Sequence, residues 1–320
     1  MPYPIENQVF GFKKESHRGI AEPAPDKFLA PGSEASFDYK SLLIPDSQLR
    51  GIKEPFPSSP GITEGSGTLP ALDVEPQTIG DLLYGCLGGV ESQQPDAANS
   101  PTVYIHTFRP KNTAKFPSFT FFVDRGISVK KYPLTVFKKL NITGSVNGKA
   151  QISADVLFKT EEPSSNFTPT YNTPKPLMFY QTEFKLNNIL NQDVKSWFIT
   201  IDNGSSAYRT LSQSREPKDI ISSGKFSIEG GYEIYFETED EREKFLNNLP
   251  QTINITLTGD VIEDAYKNKL EINIPKAKYT AYGFGTLEGL FGSAVKFNAE
   301  FAPASGFSIE FILTNSIPGY

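Results

Sequence analysis

The 320 residues hold one cysteine, Cys86, two histidines, His17 and His106, two methionines and one tryptophan, Trp197. A single cysteine excludes a disulfide framework within the chain. Two histidines set far apart, with no His-Glu-x-x-His motif and no cysteine cluster, supply no metal-ligating set. No apolar run approaches the length that spans a bilayer as a helix. Residues 1–10 lack a basic segment followed by an apolar one, so no signal peptide is expected and synthesis in a cytosol is. Positive charge is not in excess: 31 Lys and Arg face 37 Asp and Glu, a net −6. That excludes the basic footprint of a sequence-reading nucleic-acid binder. It leaves room for a mildly acidic wall past which DNA slides without sticking.

The motifs of chemistry are also missing. No Gly-x-Ser-x-Gly elbow and no phosphate loop with its Lys-Ser/Thr occurs. Carboxylate pairs such as Asp260 with Glu263, or Glu237 with Glu239, would serve a glycosidase only when facing each other across an aromatic cleft, and the acidic run 237–243 reads instead as a solvated, capped helix start. Cys86 falls on an apolar helical stripe and reads as core. His17 sits in an irregular segment and His106 in a strand, both in structural roles. Lys130-Lys131 and Lys138-Lys139, with Tyr132 and Phe137 between them, read as a solvated patch that meets acid on a neighbouring copy. Four Asn-x-Ser/Thr sequons, at Asn141, Asn166, Asn203 and Asn254, read as chance in a chain with no leader. No catalytic, cofactor-binding or metal residue is therefore assigned, and no enzyme is expected.

What the chain does hold is aromatic residues, 25 Phe and 14 Tyr, in alternating patterns that favour strands. Its length suggests about two domains. Residues 1–35 read as an irregular N-terminal arm, and the Pro- and Gly-rich stretch within 37–75 as a long loop or loosely held hairpin. Residues 78–87 read as a helix, with Ile79, Leu82, Leu83, Cys86 and Leu87 on one face, Thr78 as the cap and Gly88-Gly89 as the stop. Asn147-Gly148 marks a two-residue hairpin turn. Its return strand sets Ile152, Ala154, Val156 and Phe158 on one face, and Gln151, Ser153 and Asp155 on the other.

Residues 161–176 read as a linker. In the second half Trp197, Ile199 and Ile201 alternate, and Gly230-Gly231 interrupts a strand as a bulge or turn would. Thr238 and Glu241 form a capping box for a second helix that Pro250 ends. Strands then follow at 253–257, 270–274, 295–301 and 307–313, the last two joined as a hairpin through 303–306. Spans 37–158 and 182–313 share one layout: a hairpin-like lead, a short helix, then long strands. The expectation is a mainly β fold, a β-sandwich or split barrel with one short helix per half, internally duplicated. Its domains would run 36–160 and 177–320.

Residues Ile272 to Lys278, ending a strand on Pro275, and the segments 292–301 and 307–315 resemble the C-terminal end of tailed-phage major tail tube proteins. Phe116-Pro-Ser118-Phe-Thr120 with 127–158, the helix ending in Leu-Gly-Gly, and Ser223-Gly-Lys-Phe226 before the acidic helix are similar to segments of that family too. The resemblance covers most of 37–317. It implies subunits that close into stacked rings, their inner strands forming one β-barrel around a channel for DNA during genome delivery. It implies trimeric pseudo-hexameric rings if the duplication holds and hexameric ones otherwise, with a tape measure protein and a tail terminator as partners. It places the protein in the virion. The arm 1–35 and the loop 52–70 would then suit contacts between stacked rings. Alternative readings are another tail part with the same fold, minor tail or baseplate, or a carbohydrate-binding β-sandwich. A single tryptophan disfavours the last.

Overall fold

A computed structural model describes residues 4, 7–171, 173 and 175–320. In chain order the strands are β1 (Val9–Lys14), β2 (Lys27–Leu29), β3 (Ser36–Ile44) and β4 (Ser59–Asp73). After α1 (Ile79–Leu87) come β5 (Gly88–Gln93), β6 (Tyr104–Pro110), β7 (Phe119–Asp124), β8 (Val129–Ser145), β9 (Gln151–Phe158) and β10 (Glu162–Pro163). The second half holds β11 (Thr182–Leu186), β12 (Ile189–Leu190), β13 (Val194–Asp202), β14 (Ser205–Tyr208), β15 (Asp219–Ser222) and β16 (Ser227–Tyr235). After α2 (Asp240–Leu246) it closes with β17 (Gln251–Glu263), β18 (Tyr266–Leu287), β19 (Leu290–Ala299) and β20 (Glu310–Asn315). The fold is mainly β, with large antiparallel sheets that do not close into a barrel within the chain.

Two layers follow from two long strands that each serve both. One layer is an eight-stranded sheet in the order β3-β4-β9-β8-β13-β16-β19-β18. It uses the C-terminal part of β8 and the C-terminal part of β18. The N-terminal part of β8 turns away to pair β7, which pairs β1. The N-terminal part of β18 pairs β17 on one side and β20 on the other, and β20 continues to β6 and β5. Between these layers lies one core, to which α1 contributes Leu82, Leu83 and Cys86. Alternate residues of each sheet strand face it, as a period of two requires: Ile152, Ala154, Val156 and Phe158 of β9, and Trp197, Ile199 and Ile201 of β13. Aromatic rings dominate the first half, with Phe37 stacked near Phe10 and Phe158 and tilted on Tyr132.

Several sequence expectations change on contact with the fold. Within 1–35, Val9–Lys14 and Lys27–Leu29 are strands, and residues 1–3, 5 and 6 lie outside the described residues; β1 pairs six residues with β7, because Phe10 and Phe12 alternate with Gly11 and both rings reach the core. The stretch 37–75 forms the hairpin alternative, β3 paired with β4, so 52–70 is not a loop throughout. Its second part is β4, whose core-facing positions include Gly65 and Gly67. A Cβ at Gly65 would lie 2.3 Å from the Phe158 ring, and one at Gly67 3.2 Å from the Phe37 ring, so these glycines seat neighbouring aromatics within an intact strand. Gly230-Gly231 makes no bulge either, since β16 runs through it in unbroken register with β13 and β19. The Phe297 ring fills the place of a side chain at Gly230 and the Phe198 ring that at Gly231.

Helix α1 lies where its stripe predicts, and Gly88 ends it at φ 76°, but Thr78 makes no capping hydrogen bond. The second helix has no capping box: its N-cap is Glu239, without a side-chain cap bond. Glu241 instead turns inward to accept from the hydroxyls of Tyr232 at 2.9 Å and Tyr279 at 2.5 Å. Asn147 has φ 64°, but Gly148 is not left-handed and β9 starts at Gln151, so the connection is longer than the two-residue turn expected. The closing hairpin is absent too. β19 and β20 pair with different parts of the 22-residue β18, and the bridge Ala302 to Phe307 lies in the segment that connects them. Pro275 sits inside β18 at a register shift against β17, where the ladder needs no N–H from it.

Candidate functional site: an assembly surface

The eight-stranded sheet has one face on the core and one face outward. Cross-strand register decides the outward set. Asp155 lies opposite Thr68 and Lys139, Thr200 opposite Asn141 and Glu229, and Glu233 opposite Ser196 and Ala294. The expected polar positions Gln151, Ser153 and Asp155 belong to this face. Asp38, Glu64, Asp155, Asp202, Glu229 and Glu233 outnumber its lysines Lys40, Lys139, Lys278 and Lys296. The face is therefore net acidic, though local pairs are satisfied. Thr68 donates to Asp155 at 3.0 Å, and Ser196 to Glu233 at 2.7 Å. It is hollowed at its centre, where Lys139, Asn141, Thr143, Ser153, Asp155, Phe198 and Thr200 line a concavity of 530 Å³.

The centre of that concavity is the pairing of β8 with β13, which joins the two halves of the chain through seven consecutive opposed pairs, from Ser196 with Ser145 to Asp202 with Lys139. Thr200 donates to Asn141 across it at 2.8 Å. On the core side Trp197 lies over Gly144, where a Cβ would meet the indole at 2.6 Å. The tryptophan thus packs the joint. Its ring is 6% exposed and offers no platform for a sugar.

Strand order repeats on either side of this joint. From the joint outward the first half reads β8, β9, β4, β3, and from the far end inward the second reads β18, β19, β16, β13. Chain order repeats with it: two strands, a helix, then a long strand and its return. The outer edges are open among the described residues. β3 pairs with β4 alone, and beyond Tyr279 the C-terminal part of β18 pairs with β19 alone. Open edges carry unsatisfied backbone groups and invite another strand. Both are also apolar toward the core side and tips: Leu43 is 65% exposed and Phe284 58%.

Residues weighed for chemistry fall elsewhere. The Cys86 thiol is fully buried and burial pushes its pKa well up, so it is inert. His106 is buried, its pKa lowered by burial. Its Nδ1 accepts from Ser92 at 2.7 Å, and Nε2–H points at Ile317 O at 2.9 Å and Asn315 Oδ1 at 3.1 Å, an assignment read from these partners. His17 lies apart from it in the connection between β1 and β2. Asp260 pairs with Lys175 at 3.6 Å, Glu263 accepts from Thr102, and Glu237 is not joined to them. Lys130 and Lys131 pair with Glu161 and Glu162 of the same chain at 3.2 Å. Among the described residues no group of three metal-ligating side chains gathers. Four carboxylates are buried: Glu15, Glu22, Asp81 and Glu310. Glu15 accepts from Ser118, Thr120, Leu134 N and Gly19 N, and Asp81 pairs with Lys27 at 2.6 Å.

The surface is an extended, hollowed, acidic sheet face flanked by two open edges, which suits assembly with other strands. The chain matches the phage tail tube protein family over residues 6–283, and it belongs to that family. Its role is structural, in the phage tail of the virion. Among curated proteins none matches it. No helix among the described residues is long and apolar enough to cross a membrane.

Proposed function

We propose that this chain is a wall subunit of a tail tube, in which copies pair the β3 edge of one with the β18 edge of the next. Residues 36–160 and 177–320 act as two related units, with 161–176 running between them. Each gives four strands to the inner layer, so three copies with eight strands each make a ring of twenty-four. The ring has threefold symmetry and a near-sixfold wall. The observation that carries this reading is the repeated strand order on either side of the β8–β13 joint, which leaves at the two ends edges that correspond to the two strands of the joint. Closure removes those edges.

The acidic face then lines the channel and repels phosphate, which lets DNA pass during genome delivery without adhering. β1 and β2, packed on β7, take no part in the inner layer. The segment 45–58, with exposed Leu49, Ile52 and Phe56, supplies apolar side chains for contacts between stacked rings. A tape measure protein inside the tube and a terminator at its end are the partners this role requires. Electron microscopy of the purified full chain tests the reading. Hollow tubes or rings with three copies per turn are expected, and a species that stays monomeric across all concentrations would overturn it.

A further inference from the structure

Resting on that reading, we infer the register of the contact between copies: Asp38 of β3 lies opposite Gly283 of the next copy's β18, and Lys40 opposite Ala281. The argument uses the joint inside the chain as a template. β8 and β18 each skip one residue against their return strand, Lys138 between Phe137 and Lys139, and Thr280 between Tyr279 and Ala281. These shifts align Lys139 with Ala281 and Asn141 with Gly283. Crossing the sheet, Val156 opposes Gly67 and Gly67 opposes Phe37 in the first unit. In the second, Phe297 opposes Gly230 and Gly230 opposes Ile199. Phe37 therefore corresponds to Ile199, Asp38 to Thr200 and Lys40 to Asp202. Within the chain, Thr200 faces Asn141 and Asp202 faces Lys139. Transferring those two pairs gives the register stated.

An independent feature agrees with it. The same register sets Phe37 opposite Phe284 and Tyr39 opposite Tyr282, where the internal joint has Ile199 opposite Ile142 and Ile201 opposite Leu140. Phe284, 58% exposed in the isolated chain, gains apolar cover on the side where the core continues. A slip of one residue would set the neighbour's Tyr282 and Phe284 on the outward face beside Asp38 and Lys40, so one face must win.

Cysteine pairs in the full chain test the register. Opposed residues of an antiparallel pair sit about 4.5–5.5 Å apart at Cα, within disulfide reach, whereas diagonal neighbours at about 7–8 Å are outside it. Lys40→Cys with Ala281→Cys, and Asp38→Cys with Gly283→Cys, change exposed positions with room around them. Buried Cys86 stays silent. Mild oxidation of assembled protein is expected to remove the monomer band from a reducing-agent-free denaturing gel for both pairs, while Lys40→Cys with Gly283→Cys keeps it. The second matched pair stands in if the first fails to assemble. Linking by the offset pair instead would overturn the register. So would absence of any linking in variants that microscopy shows as rings, which leaves the tube-wall reading standing. A parent chain that forms no rings removes both.

Discussion

Replacing Gly230 with alanine adds one carbon where the sheet has no room for it. The new Cβ would lie 2.3 Å from the Phe297 ring tip and 3.0 Å from the Phe198 carbonyl oxygen. Phe297 is 2% exposed and held between strands, and a carbonyl in a paired strand cannot retreat. Overpacking of this kind costs about 1–3 kcal/mol. Alanine returns about 0.4–1 kcal/mol by restricting the unfolded chain, because Gly230 is not left-handed. The net loss is about 1–2 kcal/mol, or an apparent Tm lower by about 2–4 °C for a chain of this size. Gly283 is the control, since nothing lies within 4 Å of a Cβ there and its strand edge is open. Gly283→Ala is expected to leave the monomer unchanged or raise its Tm by about 1–2 °C. Trp197, the one tryptophan, lies buried at the joint and reports the transition by fluorescence. Phe297→Leu, added to Gly230→Ala, should recover part of the loss. If Gly230→Ala is as stable as the parent, or both glycine variants fall equally, the close-approach argument is wrong.

His106 gives a pH dependence of known sign. Its folded pKa lies below the unfolded value of 6.5 because burial disfavours the charged ring. The unfolded chain takes up the proton first, so the contribution of His106 is whole above 6.5 and is lost as pH falls below it. The stability difference between the parent and His106→Gln should narrow between about pH 7.5 and pH 5, measured by urea midpoints, and a constant difference would refute it. Glu15→Gln replaces a carboxylate that accepts from four donors with an amide that turns donors toward donors. A loss of about 1.5–3 kcal/mol in denaturant titration is expected, and an unchanged midpoint would show the site to be solvated.

Much of the inner sheet was legible because its strands alternate strictly. Residues 151–158 and 197–201 declare both faces, and the apolar stripe from Ile79 to Leu87 declares a helix. The glycine misreadings share one cause. Gly65, Gly230 and Gly231 look like punctuation in sequence, but here each yields its volume to an aromatic ring from a neighbouring strand, and Gly67 admits the Ser36 carbonyl, Val156 and Phe37. Which ring fills a gap is a long-range fact that local propensity does not carry. The same holds for β20. Its pattern predicts a strand, yet only tertiary pairing decides that it lies beside β6 and the first part of β18 rather than against β19. The two caps failed because Thr78 and Glu241 found other partners, and for Glu241 these were two buried tyrosines that no helix signature anticipates.

The β8–β13 joint has a kinetic consequence. Because a single chain carries both strands, that contact forms at an effective concentration on the order of millimolar, whatever the dilution of the protein. In the wall proposed above, only the β3-to-β18 encounter would remain sensitive to abundance. Three of the six seams of such a ring would lie within chains, and a seam within the chain is free to evolve a tryptophan plug that a seam between chains does not share.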